Sequence, residues 1–326
     1  MKNIAIVGAG ITGLSLAHCL KNHATITLFE KSRGVSGRLS TRRSGELSFD
    51  HGAQYFCVKT PEFALFIKPL VQAGVILPWH ARFVEIKNKK IIKKTQWNSA
   101  YPHYVGVPGM NAVGKFLAQD CNIYLSTLIQ KMVHNNCWEL IDDNNQYYGG
   151  FDWVILSVPA EQAQLLLPPN FSFYHQLQKV RMSGCYTLMI SFNQPISLEF
   201  DAALVHDNEI SWISVNSTKP GRDNTMTMIV NSTNQWADQF SYLSETSRVE
   251  ILLEKLSKII SYDQRHIKEV NGHFWKYANS KKQKTPLLLV DNKAKLAVCG
   301  DWCVHSRVES AFISGLTTAN ALKQYL

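Results

Sequence analysis

No run of about 18 apolar residues occurs anywhere in the sequence, so it holds no candidate transmembrane helix. It has no internal repeat and no low-complexity linker. The seven cysteines fall at scattered spacings that make no disulfide framework. Cys299 and Cys303 bracket Gly-Asp-Trp, a C-x3-C rather than the C-x-x-C of redox and zinc sites. No His/Cys pair elsewhere completes a metal set, so no metal is expected. The apolar stretch from Ile4 to Leu20 has no A-x-A cleavage site and does not read as a signal peptide. Acidic residues are the scarcer sign, and the formal net charge is +9. The basic residues are dispersed, however. The local runs Lys87 to Lys94 and Lys281 to Lys284 read as solvated hairpins or loops. No nucleic-acid motif is present. These absences leave a cytoplasmic enzyme with neither membrane nor nucleic acid as partner. Its 326 residues, 45% of them hydrophobic, are enough for about two domains.

What is there begins at the first residues. Lys2 to Val7 is a short β-branched run, followed without a gap by Gly8-Ala9-Gly10-Ile11-Thr12-Gly13. Leu14, Ala17, Cys19 and Leu20 continue as one helix face, and Ile26 to Phe29 reads as a second strand ending at Glu30. Strand, G-x-G-x-x-G, helix, strand and acid in this order form the dinucleotide fingerprint with its full context. Gly8 permits the tight turn, Gly10 lets a pyrophosphate approach the backbone, and Gly13 lets the helix pack on the sheet. The helix N-terminus offers free N–H groups to phosphate. The Glu30 carboxylate suits a ribose diol.

A basic, glycine-bearing loop follows, Lys31-Ser32-Arg33-Gly34-Val35-Ser36-Gly37-Arg38, with Arg42 and Arg43 just beyond. Such a loop can wrap a diphosphate, Arg38 supplying a charge-assisted fork. In Phe49 to Phe56, His51 is either a general base or a structural hydrogen-bonding residue. Pro61 to Ala73 and Asn111 to Ala118 read as helices, and Val75 to Ile92 as alternating strand with a turn at Lys87 to Lys90. Cys121 to Leu128 reads as a strand that Ile129 to Val133 continues. Trp138 to Ile141 and Gln146 to Tyr148 form a small meander, then come the buried strand Phe151 to Val158 and a helix Glu161 to Leu167. From Phe171 to Tyr277 strands dominate: Cys185 to Phe192, Ile210 to Val215, Thr225 to Asn231 and Ile267 to Tyr277, with a helix Ser244 to Ile260. We read this segment as the substrate domain, with Asn231 and Trp275 as candidate pocket residues. Leu296 to Cys299 is a strand ending at Gly300-Asp301, and a helix starts near Ser310 with Gly315 inside it. No nucleophile stands beside a base.

Taken together, these residues resemble the two-dinucleotide-binding-motif flavoproteins, the group that includes the amine oxidases. Within that group the sequence is similar to the bacterial renalases. The closer likeness rests on Lys31-Ser32-Arg33-Gly34 through Gly37-Arg38-Leu39-Ser40, Gly52-Ala53-Gln54-Tyr55-Phe56, Val107-Pro108-Gly109-Met110, Cys299 to Cys303 and Arg307 to Ala311. The resemblance implies an α/β fold: a Rossmann-like FAD-binding domain made of residues 1-60, 104-160 and 285-326. A mixed or antiparallel-sheet substrate domain, residues 61-103 and 161-284, is inserted into it. It implies FAD as cofactor. It also implies oxidation of the 2- and 6-dihydro isomers of NAD(P)H to NAD(P)+, flavin N5 accepting the hydride and O2 leaving as H2O2.

The glycine turn Gly8 to Gly13 serves the pyrophosphate, and Lys31 and Gly37 join the cofactor-binding set; by position, the resemblance puts Glu30 at the adenosine ribose and Arg38 at the pyrophosphate. It puts Ala53, Gln54 and Tyr55 against the flavin, and the Ile129 backbone at the adenine. Asp301 falls at the ribityl-pyrophosphate end and Val308-Glu309 at the pyrimidine edge. Cys303 is the nearest candidate for a covalent tether, but the likeness is to a noncovalent family. The usual Gly-Gly-Arg is here Ser36-Gly37-Arg38, a departure that bears on loop conformation. Two other functions fit the same cofactor: a flavin amine oxidase acting on a small amine, and an FAD-binding protein without turnover.

Overall fold

A computed structural model describes all 326 residues. Strand Lys2–Val7 lies inside a six-stranded sheet, ordered 289–291, 296–298, 153–156, 2–7, 24–29, 122–124. All neighbours are parallel except the edge strand Leu289–Asp291. Parallel strands need both faces covered, and their buried runs show it. Ile4, Ile6, Leu28 and Ile155 pack under the helices Ile11–Leu20 and Val308–Leu322. The alternate residues Ala5, Val7, Phe29 and Leu156 pack under a three-stranded meander, Ile129–His134, Trp138–Asp142 and Tyr147–Phe151.

The second layer is a seven-stranded sheet, ordered 267–280, 182–192, 227–232, 210–215, 202–206, 82–87, 90–96. Its pairs are antiparallel except Ala202–His206 with Arg82–Lys87. One face buries Tyr186, Leu188, Ile190, Val230 and Ile213 against the helix Glu245–Ile259, through Leu252 and Leu256. The other face looks back toward the first sheet. The basic run at 87–94 is a hairpin turned at Asn88 and Lys89, both at positive φ, and its lysines stud an exposed edge strand.

The fold class expected from the sequence is the one observed, but several elements differ. Residues 75–92 hold three strands' worth of chain, Ile76–Pro78, Arg82–Lys87 and the start of Lys90–Gln96. Residues 121–133 are not one continued strand. Asn122–Tyr124 joins the six-stranded sheet, and the chain then folds around the Glu30 loop, with Ser126 donating to Ser32 O and Thr127 to Glu30 O. Only afterwards does the meander start at Ile129. The last long helix, expected to start near Ser310, runs from Val308 to Leu322. Strands Ala202–His206 and Leu289–Asp291 lie in segments that carried no strand expectation. Residues 61–103 divide between neighbours: Phe63 and Phe66 of helix Pro61–Gln72 stack on Phe312, while 82–96 joins the seven-stranded sheet.

Candidate active site

A single cavity of about 2520 Å³ lies between the two sheets. Into it face Gly8 and Gly10 to Thr12, Glu30, the loop 31–43, residues 51–57, residues 127–130, and residues 300–301, 304–311 and 313. The tight packing that builds its floor depends on glycine. A Cβ on Gly13 would stand 2.1 Å from Gly8 O. A Cβ on Gly10 would meet nothing within 4 Å, so the backbone there is open to a ligand. Helix Ile11–Leu20 has Gly10 as an N-cap without a side-chain hydrogen bond, and helix Val308–Leu322 has an equally uncapped Arg307. Two helix N-termini with free N–H groups therefore border one cavity, a setting suited to anions.

Glu30 is held rigidly: its carboxylate accepts from Ala9 N (2.9 Å) and Ser32 N (2.9 Å). Arg38 donates to both oxygens of Asp301, at 2.5 and 3.1 Å, and to Ala278 O at 3.0 Å. This pair ties the loop after the second strand to the segment after Gly300. Ser36 takes φ +95, a conformation that favours glycine, which accounts for the glycine usual at this place. Its hydroxyl donates to Asn111 O and lies where a Cβ on Gly114 would stand 2.0 Å away, so Gly114 makes room for it.

The remaining expected residues sort themselves by what their side chains already do. Lys31, Gly37, Ala53, Tyr55, Ile129, Asn231, Trp275 and Val308 line the cavity. Gln54 reaches it too, but its side chain is fully engaged. Oε1 accepts from Ser214 (2.8 Å) and Lys219 (3.1 Å), and Nε2 donates to Asp50 O and Gly52 O. Glu309 is likewise committed: its carboxylate accepts from Lys59 N, Thr60 N and Thr60 Oγ1, fastening the helix that starts at Pro61. Only the backbone of Glu309 is free for a ligand. Cys303 is fully buried and does not border the cavity, and burial pushes its thiol well above the ordinary value. It is not placed to form a tether.

His51 packs against His273 (4.9 Å between centroids) and Trp275 (5.0 Å), whose indole donates to His51 O. Burial, with His273 and Arg42 nearby, lowers its pKa to about 4, so the ring is neutral at pH 7. Next to it lies a cluster that sequence reasoning missed. Asp50 is fully buried and accepts from Thr41 Oγ1 (2.7 Å), Met110 N (2.9 Å), Lys219 Nζ (3.3 Å) and the Arg222 guanidinium. Burial alone would raise the Asp50 carboxyl, but Lys219 and Arg222 outweigh it and hold it low. Burial also lowers Lys219 to about 8, against the pull of Asp50. The basic turn Lys219-Pro220-Gly221-Arg222, inside a β-rich segment, was the available signal. At the far end of the cavity Tyr55, Trp97, His103, Trp212 and Phe83 form a continuous aromatic stack. No cluster of His, Cys, Asp and Glu could hold a metal ion.

The geometry thus describes a dinucleotide-binding site: open backbone at Gly10, a fixed acid at Glu30 and two uncapped helix ends around a cavity large enough for a dinucleotide. The comparisons agree. Residues 96–323 match the flavin containing amine oxidoreductase family, and residues 6–68 match an NAD(P)-binding Rossmann-like domain. The chain belongs to the flavin containing amine oxidoreductase family, and its cofactor is FAD. Within that family it is renalase-like: it is 22% identical to renalase of Mus musculus over 353 residues, covering 100% of both chains. A shorter likeness, 36% over 73 residues, covers 21% of this chain and 16% of coproporphyrinogen III oxidase from Mycobacterium tuberculosis. Among solved structures, one from Exiguobacterium sp. 255-15, provisionally described as a protoporphyrinogen oxidase, superposes with TM-score 0.80 at 13% identity, covering 100% and 99% of the two chains. Wild-type putrescine oxidase bound to putrescine superposes with TM-score 0.71 at 12% identity, covering 98% of each. These last two show the fold.

Proposed function

We propose that the protein oxidises the 2- and 6-dihydro isomers of NAD(P)H to NAD(P)+, with O2 as final acceptor and H2O2 as product. The observation that carries this reading is the cavity itself. At about 2520 Å³ it is some two and a half times the upper end of ordinary ligand pockets, roughly 1000 Å³, which leaves room for a second large ligand beside FAD. Ten arginines and lysines border it against three carboxylates, and all three, Glu30, Asp301 and Glu309, already accept hydrogen bonds from the protein. Such a chamber suits two polyphosphates.

FAD, when bound, supplies the hydride acceptor and the route to O2. The chain supplies position and field. Gly10, Gly37 and Arg38 would hold the pyrophosphate, and Glu30 the adenosine ribose. Ile129 would offer its backbone to the adenine. Ala53 and Tyr55 would flank the flavin, and Val308 with the Glu309 backbone would bring the helix N-terminus to its pyrimidine edge. That positive end favours an anionic ring by about 0.3–1 kcal/mol, up to ~2 when partly buried. No base is needed, since loss of hydride from a dihydropyridine makes an aromatic pyridinium. In this reading residues 1-60, 104-160 and 285-326 form the cofactor half, and 61-103 and 161-284 the substrate half. Seven cysteines without a disulfide support a cytoplasmic setting.

The test is anaerobic mixing of the yellow holoprotein with the NADH isomer mixture made by borohydride reduction of NAD+, against pure 4-dihydro NADH. Rapid bleaching by the isomer mixture alone is expected; bleaching by the ordinary isomer alone overturns the reading. A second reading, oxidation of a small amine, is favoured by the aromatic stack around Tyr55 and Trp212, but the cationic rim opposes an ammonium substrate. The same mixing with a panel of amines separates the two.

A further inference from the structure

Four neighbouring strands of the seven-stranded sheet place one residue each on a single rung. His273 lies opposite Thr187, Thr187 opposite Asn231, and Asn231 opposite Trp212. Residues paired in this way point to the same face of the sheet. The intervening residues Tyr186, Leu188, Val230 and Ile213 are packed under the helix on the opposite face, so the rung faces the cavity, and all four residues line it. Three of them carry a buried polar atom with no partner: Thr187 Oγ1, Asn231 Oδ1 and Trp212 Nε1. His51 Nδ1, on another element bordering the same cavity, is unpartnered too. Buried polar atoms in folded proteins are nearly always paired, so several without partners along one wall of a cavity mark a place where a ligand supplies the partners.

The chemistry of the set is specific. None of the three rung groups is charged. The indole is only a donor, the Asn231 oxygen only an acceptor, and the Thr187 hydroxyl is either. A hydrocarbon would leave them all unpaired, and a carboxylate would face the Asn231 oxygen with a like lone pair. A primary carboxamide presents one acceptor and two donors and satisfies the set.

Resting on the dinucleotide reading above, we propose that this rung is the subsite that recognises the carboxamide of the substrate's pyridine ring, with Asn231 reading its NH2 group. Thr187 and Trp212 hold the carbonyl oxygen. The rung thereby fixes which face and edge of the ring is presented.

Binding tests this without turnover. Oxidised holoprotein is titrated with NAD+, 3-acetylpyridine adenine dinucleotide, nicotinic acid adenine dinucleotide and ADP-ribose, followed by the flavin spectrum and by calorimetry. NAD+ should bind roughly five- to a hundredfold more tightly than the acetyl and acid analogues, the range set by one unmatched buried polar group. In Asn231→Ala the preference should fall to within about twofold of unity, and Thr187→Val should reduce it in the same direction. FAD content and melting temperature equal to wild type show that both variants fold. Equal binding of the three dinucleotides by wild type, an undiminished preference in Asn231→Ala, ADP-ribose binding as well as NAD+, or no NAD+ binding each overturns the proposal. A wild type that shows the carboxamide preference but is not bleached by the NADH isomer mixture sinks the oxidase reading and leaves the rung's role standing.

Discussion

Replacing Asp50 with Asn should cost a large fraction of the stability of this fold, and the cost should depend on pH in a defined way. In the native protein Oδ1 accepts from Thr41 and Met110, and Oδ2 faces Lys219 and Arg222. An asparagine can keep the first pair only by turning its NH2 group toward two buried cations. A guanidinium keeps its charge, so Arg222 is left as an uncompensated buried ion, a loss of about 3–5 kcal/mol. Lys219 behaves differently. Burial already brings its pKa to about 8, so at pH 7 it sheds its proton for about 1.4 kcal/mol, which caps its share. The loss is then about 4–6 kcal/mol at pH 7 and roughly 1 kcal/mol smaller at pH 9, where the lysine is neutral beforehand. Against a typical total of about 5–15 kcal/mol this is a large fraction. Guanidinium denaturation of the FAD-loaded variant at both pH values reads it. Lys219→Met is the comparison and should cost clearly less, because Asp50 keeps Arg222. A loss under about 1 kcal/mol for Asp50→Asn, or equal losses in the two variants, would refute the reasoning.

Three further outcomes are expected. Gly13→Ala must push a methyl into Gly8 O and Ser157 Oγ, so it should lose about 1–3 kcal/mol or more and its FAD with it. Gly10→Ala meets no protein atom and should keep the stability of the FAD-free protein while losing FAD affinity; equal FAD content in both variants argues against the phosphate turn. His51 has a folded pKa of about 4, below its unfolded value of about 6.5, so the unfolded chain binds the extra proton. The stability tied to neutral His51 is complete above pH 6.5 and is lost as pH falls toward 4, amounting to about 3 kcal/mol at most. His51→Gln should flatten the fall in denaturation midpoint between pH 7 and pH 5, and an unchanged slope would count against it.

The cofactor half was legible because its signals are local. Gly8, Gly10, Gly13 and Glu30 lie within one βαβ unit, and each answers a demand made by its neighbours in the chain. Residues that act across the chain were not legible in the same way. Nothing near Lys219 says that its ammonium will meet Asp50, a partner 169 positions away. The same holds for Glu309, which as a sequence neighbour of Val308 looks like a ligand contact but spends its carboxylate on Thr60. Thr187 and Trp212 became a pair of interest only through strand register, which a single sequence does not specify for long antiparallel strands. The break after Tyr124 was hidden because apolar residues continue through Leu125 and Leu128 while the backbone turns to serve Glu30.

The order of strands in the six-stranded sheet has a consequence for synthesis. Strand Lys2–Val7 is made long before its neighbour at 153–156, and that strand's own neighbour at 296–298 follows after that. The helix that borders the cavity at Val308 comes later still. At about 5–20 residues per second, the nascent glycine turn waits many seconds before Asp301 arrives to clasp Arg38. Cofactor capture must then await the segment that carries Asp301, and a translating chain stalled before it would expose the apolar faces of the earlier strands to the chaperones of the cell.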